Sequence, residues 1–336
     1  MPKKLGLALS ALFALLVLAV IVKFYVLSPR LRPALDVHAP HTPEAIARGK
    51  YLVDNVTGCL GCHSPIDEAV SGEPPLPGRL GSGRDFGVIP DFPGRIRAPN
   101  LTPDPETGIA TWSDGELLRA MREGVSRNGR PLFPMMPYGA YGRALDDDDA
   151  LAIVAYLRTL APIKNDAGRT ELDFPVSMFV RAAPAPLEKS PPPAPLEILP
   201  PDPIDPGFEP PRDALARGQW LLTMCSCHDC HDSVNGHREP IPGKALAGDV
   251  PQPIAGKGTV YSANISSDPV TGIGAYSDAD LLRALNEGKG KSGATLYGMP
   301  WRYYAGMTEA DKRALILALR KALPVVNAVR PATFPR

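Results

Sequence analysis

The chain opens with an unbroken apolar run, Leu5 to Val22, preceded by Lys3 and Lys4. At a helical rise of about 1.5 Å per residue its 18 residues span about 27 Å, close to the hydrocarbon thickness of a bilayer. The run is longer than the usual core of a secretory signal, and no small-x-small site follows it. It therefore reads as an uncleaved signal-anchor over residues 1–27, with a cleaved signal peptide as the alternative. Lys23 sits where a long side chain can snorkel to the interface. Past the run the pattern becomes amphipathic with a helical period. One helix is expected from Thr42-Pro43-Glu44, where Thr and Pro supply cap and first-turn signals, through Ala47-Arg48-Gly49-Lys50-Tyr51-Leu52-Val53. Another runs from the Ser113-Asp114 cap to Gly124, and final helices cover Leu151–Leu157 and Leu315–Leu319. No segment sustains period-two alternation, so the fold class expected is all-α.

Much of this pattern occurs twice. Asn100-Leu101-Thr102-Pro103-Asp104 and Gly108-Ile109 return as Asn264-Ile265-Ser266-Ser267-Asp268 and Gly272-Ile273. Trp112-Ser113-Asp114 returns as Tyr276-Ser277-Asp278, and Leu117-Leu118-Arg119-Ala120 as Leu281-Leu282-Arg283-Ala284, at one offset (264 − 100 = 164). Ala47-Arg48-Gly49 likewise matches Ala216-Arg217-Gly218. A glycine inside both helices costs stability, which points either to close approach of another backbone or to a merely tolerated residue. The repeat predicts two tandem domains of one fold, 43–167 and 212–330, after a stalk at 28–42. Between them, 168–211 reads as a Pro-rich linker. Twelve of the 28 residues from Pro184 to Pro211 are proline, a composition that favours an extended, semi-rigid connector setting the distance between the domains. Upstream, Leu172 to Val180 is apolar but too short to span a membrane, and is expected to pack on a domain or a partner.

Charge narrows the function classes. Lys+Arg and Asp+Glu are both 36, so no global basic field exists to hold nucleic acid. The Asp146–Asp149 run opens a helix and is expected to cap it, ahead of calcium binding or docking of a basic partner. His38 and His41 lie in the stalk and read as polar linker residues rather than metal ligands.

The chemistry lies in Cys59-Leu60-Gly61-Cys62-His63 and Cys227-His228-Asp229-Cys230-His231. C-x-x-C-H is the attachment signature of a c-type haem. Two thiols on one helical turn add to the porphyrin vinyl groups, and the following histidine is held under the ring, where its imidazole binds iron. Two covalent haem c groups are expected, with His63 and His231 as proximal ligands. Zinc is disfavoured, because neither copy has a second ligand pair nearby. Haem is attached to such motifs outside the cytoplasm, which places the domains in the periplasm or beyond, tethered to the cytoplasmic membrane. Lys23, Arg30 and Arg32 on the exported side run against the positive-inside rule.

The sixth ligand decides what the iron does. Phe133-Pro134-Met135-Met136-Pro137-Tyr138 and Tyr297-Gly298-Met299-Pro300-Trp301 share a Met-Pro-aromatic pattern pairing Met136 with Met299 (299 − 136 = 163), near the repeat's own offset. Thioether sulfur raises the potential and suits electron transfer. Met136 is preferred to Met135, Met121 and Met307 are weaker alternatives, and gap-filling in the core competes with ligation. Trp112 and Tyr276 are expected to pack on the porphyrins, and Asn100 and Asn264 to fix the loop backbone beside them. Cys225, the one cysteine outside the motifs, reads as a buried thiol in preference to an exposed redox group. His228, inside the second motif's spacer, reads as a surface residue.

These residues together resemble multihaem cytochrome c proteins, among them the cytochrome subunits of periplasmic membrane-bound dehydrogenases acting on alcohols, gluconate or related substrates. The resemblance runs from about residue 43 to 327, apart from the proline connector. It implies class I cytochrome c domains with His/Met-ligated haem that pass electrons to a quinone pool or terminal oxidase. The chain departs from those subunits in carrying two haem motifs where they usually carry three, and in its N-terminal anchor. The expectation is an electron carrier rather than an enzyme. Its donor would be an exported or membrane-bound dehydrogenase, and its acceptor the quinone pool, an oxidase or a soluble cytochrome. A dihaem peroxidase or thiosulfate-oxidising dihaem enzyme is the rival, and needs an iron that substrate can reach. A Met-Pro in both copies argues against it.

Overall fold

The apolar run forms helix α1 (Pro2–Ile21), prolonged by a π-helical turn over Val22–Val26. In this computed structural model, which describes residues 2–68, 70–89, 92–194, 212–236, 239–254 and 257–333, the window Leu5–Val26 is long and apolar enough to cross a membrane, and within it only Phe24 is buried.

From residue 43 the chain lays down one order of elements twice. The first pass is α2 (Pro43–Tyr51), α3 (Cys59–Cys62), β1 (Arg84–Val88), β2 (Gly94–Ala98), α4 (Asp114–Glu123), α5 (Tyr138–Ala144) and α6 (Asp147–Leu157). After β3 (Glu171–Leu172) and α7 (Val176–Phe179), the second pass is α8 (Arg212–Met224), α9 (Cys227–His231), β4 (Pro251–Ile254), β5 (Gly258–Tyr261), α10 (Asp278–Glu287), α11 (Trp301–Ala305) and α12 (Glu309–Lys321).

The caps follow the sequence signals. Thr42 Oγ1 accepts from Ala45 N at 3.2 Å with Pro43 at the first turn. Ser113 with Glu116, and Ser277 with Asp280, close reciprocal capping boxes on α4 and α10. Both helices stop at left-handed glycines, Gly124 (φ 71°) and Gly288 (φ 62°). Asp146 accepts from Asp149 N at 2.8 Å, so the acidic run does cap α6.

The helix glycines mark close backbone approach. A Cβ on Gly49 would stand 1.8 Å from the Ala152 carbonyl oxygen, and one on Gly218 2.0 Å from that of Ala314. In each half the helix before the haem motif thus lies directly on the last helix. Arg48 then reaches Asp149 (2.7 Å), and Arg217 reaches Asp311 in a bidentate pair (2.8 and 2.8 Å). From Gly49 to Cys59 is 10 residues, but from Gly218 to Cys227 only 9. The first copy absorbs its extra residue as a π-helical turn over Leu52–Val56, where Thr57 N reaches back to Leu52 O at 2.7 Å.

Two expectations need amending. Helices dominate, but the all-α reading misses two small antiparallel sheets, β1-β2-β3 and β4-β5. The strands are too short, and too rich in Arg, Gly and Pro, to show alternation. Residues 168–182, expected as linker, contain β3, which pairs with β2 (Gly94↔Leu172, Arg95↔Glu171), and α7. Of the proline connector expected over Pro184 to Pro211, residues 195–211 lie outside the described residues, and among the described ones the two halves are in direct contact. Trp220 Nε1 donates to Ala144 O (2.6 Å), Trp301 Nε1 donates to Ser71 Oγ (3.0 Å), and the Tyr51 hydroxyl donates to Asp311. One apolar cluster runs through both, including Leu52, Leu60 and Ile153 with Leu221, Met224 and Leu315.

Candidate haem sites

Each C-x-x-C-H motif sits on one short helical turn entered through a left-handed residue, Gly58 (φ 58°) before α3 and Ser226 (φ 54°) before α9. That sharp entry ends the preceding helix and starts a new turn at once. The i, i+3 spacing then puts Cys59 with Cys62, and Cys227 with Cys230, on one side of the turn. None of the four is joined in a disulfide. Burial pushes the Cys59 thiol up to about 11 and the Cys227 thiol up to about 12.

The histidines have matching surroundings. His63 Nδ1 lies 2.8 Å from Pro99 O, and His231 Nδ1 lies 2.7 Å from Ala263 O. A carbonyl only accepts, so in both rings Nδ1 carries the proton and Nε2 keeps its lone pair. Burial holds both imidazoles below their ordinary pKa, and hence neutral, against the opposing pull of those hydrogen bonds. A neutral imidazole with Nε2 free and Nδ1–H tied to a carbonyl is the form that ligates iron. Two thiols on the same turn complete a donor set that fits covalent haem.

The accepting carbonyls immediately precede Asn100 and Asn264. Asn100 Nδ2 donates to Ile163 O (2.7 Å) and Thr107 Oγ1 (3.0 Å), and its Oδ1 accepts from Thr102 N (2.9 Å). Asn264 repeats this with Val325 O (2.8 Å), Thr271 Oγ1 (3.1 Å) and Ser266 N (3.0 Å). Both asparagines are buried and fix the loop backbone, as expected.

Met136 and Met299 stand half-buried against the same apolar cluster as Cys59 and Cys227. The prolines after them share one conformation, Pro137 at φ −79°, ψ 44° and Pro300 at φ −81°, ψ 52°. Met121 and Met307 are instead core residues, and Met135 is half-buried beside Met136. Trp112 and Tyr276 pack half-buried on the cluster, and the Lys291 ammonium lies 4.8 Å over the Tyr276 ring. Cys225 is buried and its thiol is held well above the ordinary range by burial. His228 is partly exposed and pairs with Asp232 at 2.9 Å. His38 and His41 are exposed in the stalk, and among the described residues no three His, Cys, Asp or Glu group to hold a metal ion.

The tyrosines after the Met-Pro pairs were not singled out from sequence. Tyr141 donates to Thr57 O (3.3 Å) and Tyr304 to Cys225 O (3.1 Å), two carbonyls at equivalent places before the motifs. The signal was present, since 304 − 141 = 163 is the offset of the methionine pair. Tyr141 is buried, and burial holds its phenol well above the ordinary range. From the second half, Tyr303 lays its ring on the first motif, 3.2 Å from where a Gly61 Cβ would stand. Its buried hydroxyl has no protein partner.

Residues 46–161, which hold the first motif and Met136, match the cytochrome c family model. The chain is 31% identical over 252 residues to the fructose dehydrogenase cytochrome subunit of Gluconobacter japonicus, covering 74% of this chain and 46% of that one. It is 30% identical over 279 residues to the gluconate 2-dehydrogenase cytochrome c subunit of Pantoea cypripedii, covering 76% and 53%. It is 28% identical over 204 residues to a dihaem c-type cytochrome of Cereibacter sphaeroides, covering 60% and 62%. The chain spans about half the length of the first two.

Proposed function

This chain belongs to the cytochrome c family, and on that premise we propose that it is a membrane-tethered dihaem c-type cytochrome. In this reading it relays single electrons from an exported or membrane-bound dehydrogenase to the quinone pool, an oxidase or a soluble cytochrome. The observation that carries it is the duplicated histidine bracket: both motifs present a neutral imidazole whose Nδ1–H is tied to the carbonyl before a buried asparagine. Haem, when bound, supplies a reversible one-electron iron couple.

The chain's residues do the rest. Cys59, Cys62, Cys227 and Cys230 would retain the group, and His63 and His231 would offer Nε2 to the iron. Met136 and Met299 would offer thioethers, which favour ferrous iron and a raised potential. Tyr141 is buried, and the Tyr303 ring of the second half lies against Gly61 of the first motif. Aromatic packing of this kind would favour exchange between the two centres without a large solvent rearrangement. The relatives named as dehydrogenase cytochrome subunits support a dehydrogenase as donor.

A potentiometric titration with visible spectra and a haem count per chain tests this. Two haems, both low-spin and methionine-ligated, are expected, and replacing Met136 or Met299 by alanine should abolish one low-spin centre each. A single haem, or a high-spin centre in the unaltered protein, would overturn the relay.

A further inference from the structure

The segment after β3 is fastened to the end of the anchor. Phe179 of α7 packs edge-on against Phe24, ring centroids 5.3 Å apart, and leaves Phe24 only 8% exposed. Arg181 Nε donates to Phe24 O (2.7 Å), and its guanidinium lies 5.0 Å over the Tyr25 ring. On the other side the segment is tied to the sheet: Asp173 N donates to Pro93 O (3.1 Å), beside the β2–β3 pairing. Phe174 therefore projects from a braced stretch of backbone. It is 77% exposed, and Phe179 keeps 52% exposed despite its contact.

Anchor length sets the depth of this patch. Counting from Leu5, Phe24 is the 20th residue (24 − 5 + 1 = 20), and 20 residues at about 1.5 Å rise about 30 Å, the thickness of the hydrocarbon core. Phe24 thus falls at the boundary between acyl chains and headgroups, and Phe179 lies beside it at the same level. Lys23 and Arg30, both exposed, flank the site with charge suited to lipid phosphate.

We propose that Phe174 and Phe179 enter the surface of the phospholipid bilayer beside the anchor, so that the first haem half rests on the membrane through this patch. Phe179 packs on Phe24 at the end of the apolar anchor, and Phe174, five residues earlier on the same braced segment, adds a second exposed ring. The proposal rests on the anchor reading. The anchor and the segment then act as two points of attachment that fix which face of the first half looks toward the membrane.

The test uses the full chain in nanodiscs of phosphatidylcholine and phosphatidylglycerol, with p-benzoylphenylalanine in place of Phe174 or, separately, Phe179. Phe13 within the anchor and Val270, 86% exposed in the second half, are replaced likewise as controls. After irradiation, lipid adducts are measured by mass spectrometry. Positions 13, 174 and 179 should give adducts several-fold above position 270. Adducts at 13 with none above the 270 background at 174 and 179, or cross-links there to protein only, would overturn the proposal and leave the anchor intact. No lipid adduct at 13 would overturn both.

Discussion

At the scale of single residues, the histidine bracket depends on side chains that never touch the ring. Asn100 satisfies three groups at once, and through the Pro99–Asn100 link it fixes the carbonyl that holds His63. Asn100→Ala would leave Thr102 N unpaired in a buried loop, and such a loss costs about 1–3 kcal/mol. The variant should be destabilised by at least about 1 kcal/mol in chemical denaturation. The first centre's potential should shift while the second stays put, and Asn264→Ala should do the reverse. Equal shifts of both centres would show that the loops are not independent brackets. The motif, the asparagines and the methionine pair could all be read from sequence, because each is a local pattern stated twice. The braces from Tyr141 and Tyr304 were harder to find. A hydroxyl that meets a backbone carbonyl 84 or 79 residues away leaves no mark in either local stretch.

At the scale of elements, capping signals translated directly into structure, since a cap is decided within four residues. Strands did not, because β2 reads Gly-Arg-Ile-Arg-Ala and β4 reads Pro-Gln-Pro-Ile, and pairing with a distant segment overrides such weak propensity. The helix glycines sat between these cases. Sequence posed two readings of Gly49 and Gly218, and the partner helix decides for close approach. Alanine would gain about 1 kcal/mol in helix propensity. Its Cβ would lie 1.8 Å from Ala152 O in one case and 2.0 Å from Ala314 O in the other, in both instances rigid backbone. Overpacking of that kind costs about 3 kcal/mol, so Gly49→Ala and Gly218→Ala should each destabilise by about 2 kcal/mol. A melting temperature lower by roughly 3 °C is expected for a chain of this size that unfolds as one unit. An unchanged or higher value would mean that the helix pairs separate easily.

At the scale of the whole molecule, the repeat conceals as much as it reveals. Two similar copies each have residues to complete their own core, so nothing in the sequence distinguishes a side chain that packs at home from one that packs on the other copy. Trp220, Trp301 and Tyr51 face the other half and bring the two into direct contact. Asp311 concentrates this coupling: it holds Arg217 in a buried bidentate pair and accepts from Tyr51 across the interface. A continuous core with cross-half hydrogen bonds predicts that both halves unfold together, in one calorimetric transition whose van't Hoff and measured enthalpies agree. Trp220→Phe and Tyr51→Phe each remove one cross-half donor while keeping the aromatic ring. Each should cost about 0.5–1.5 kcal/mol, and together they should begin to split the transition in two. If the unaltered protein already melts in two steps, the halves are autonomous and the connector, not the interface, governs their spacing. If the doubly substituted protein still melts in one step, the apolar cluster alone is enough to join them.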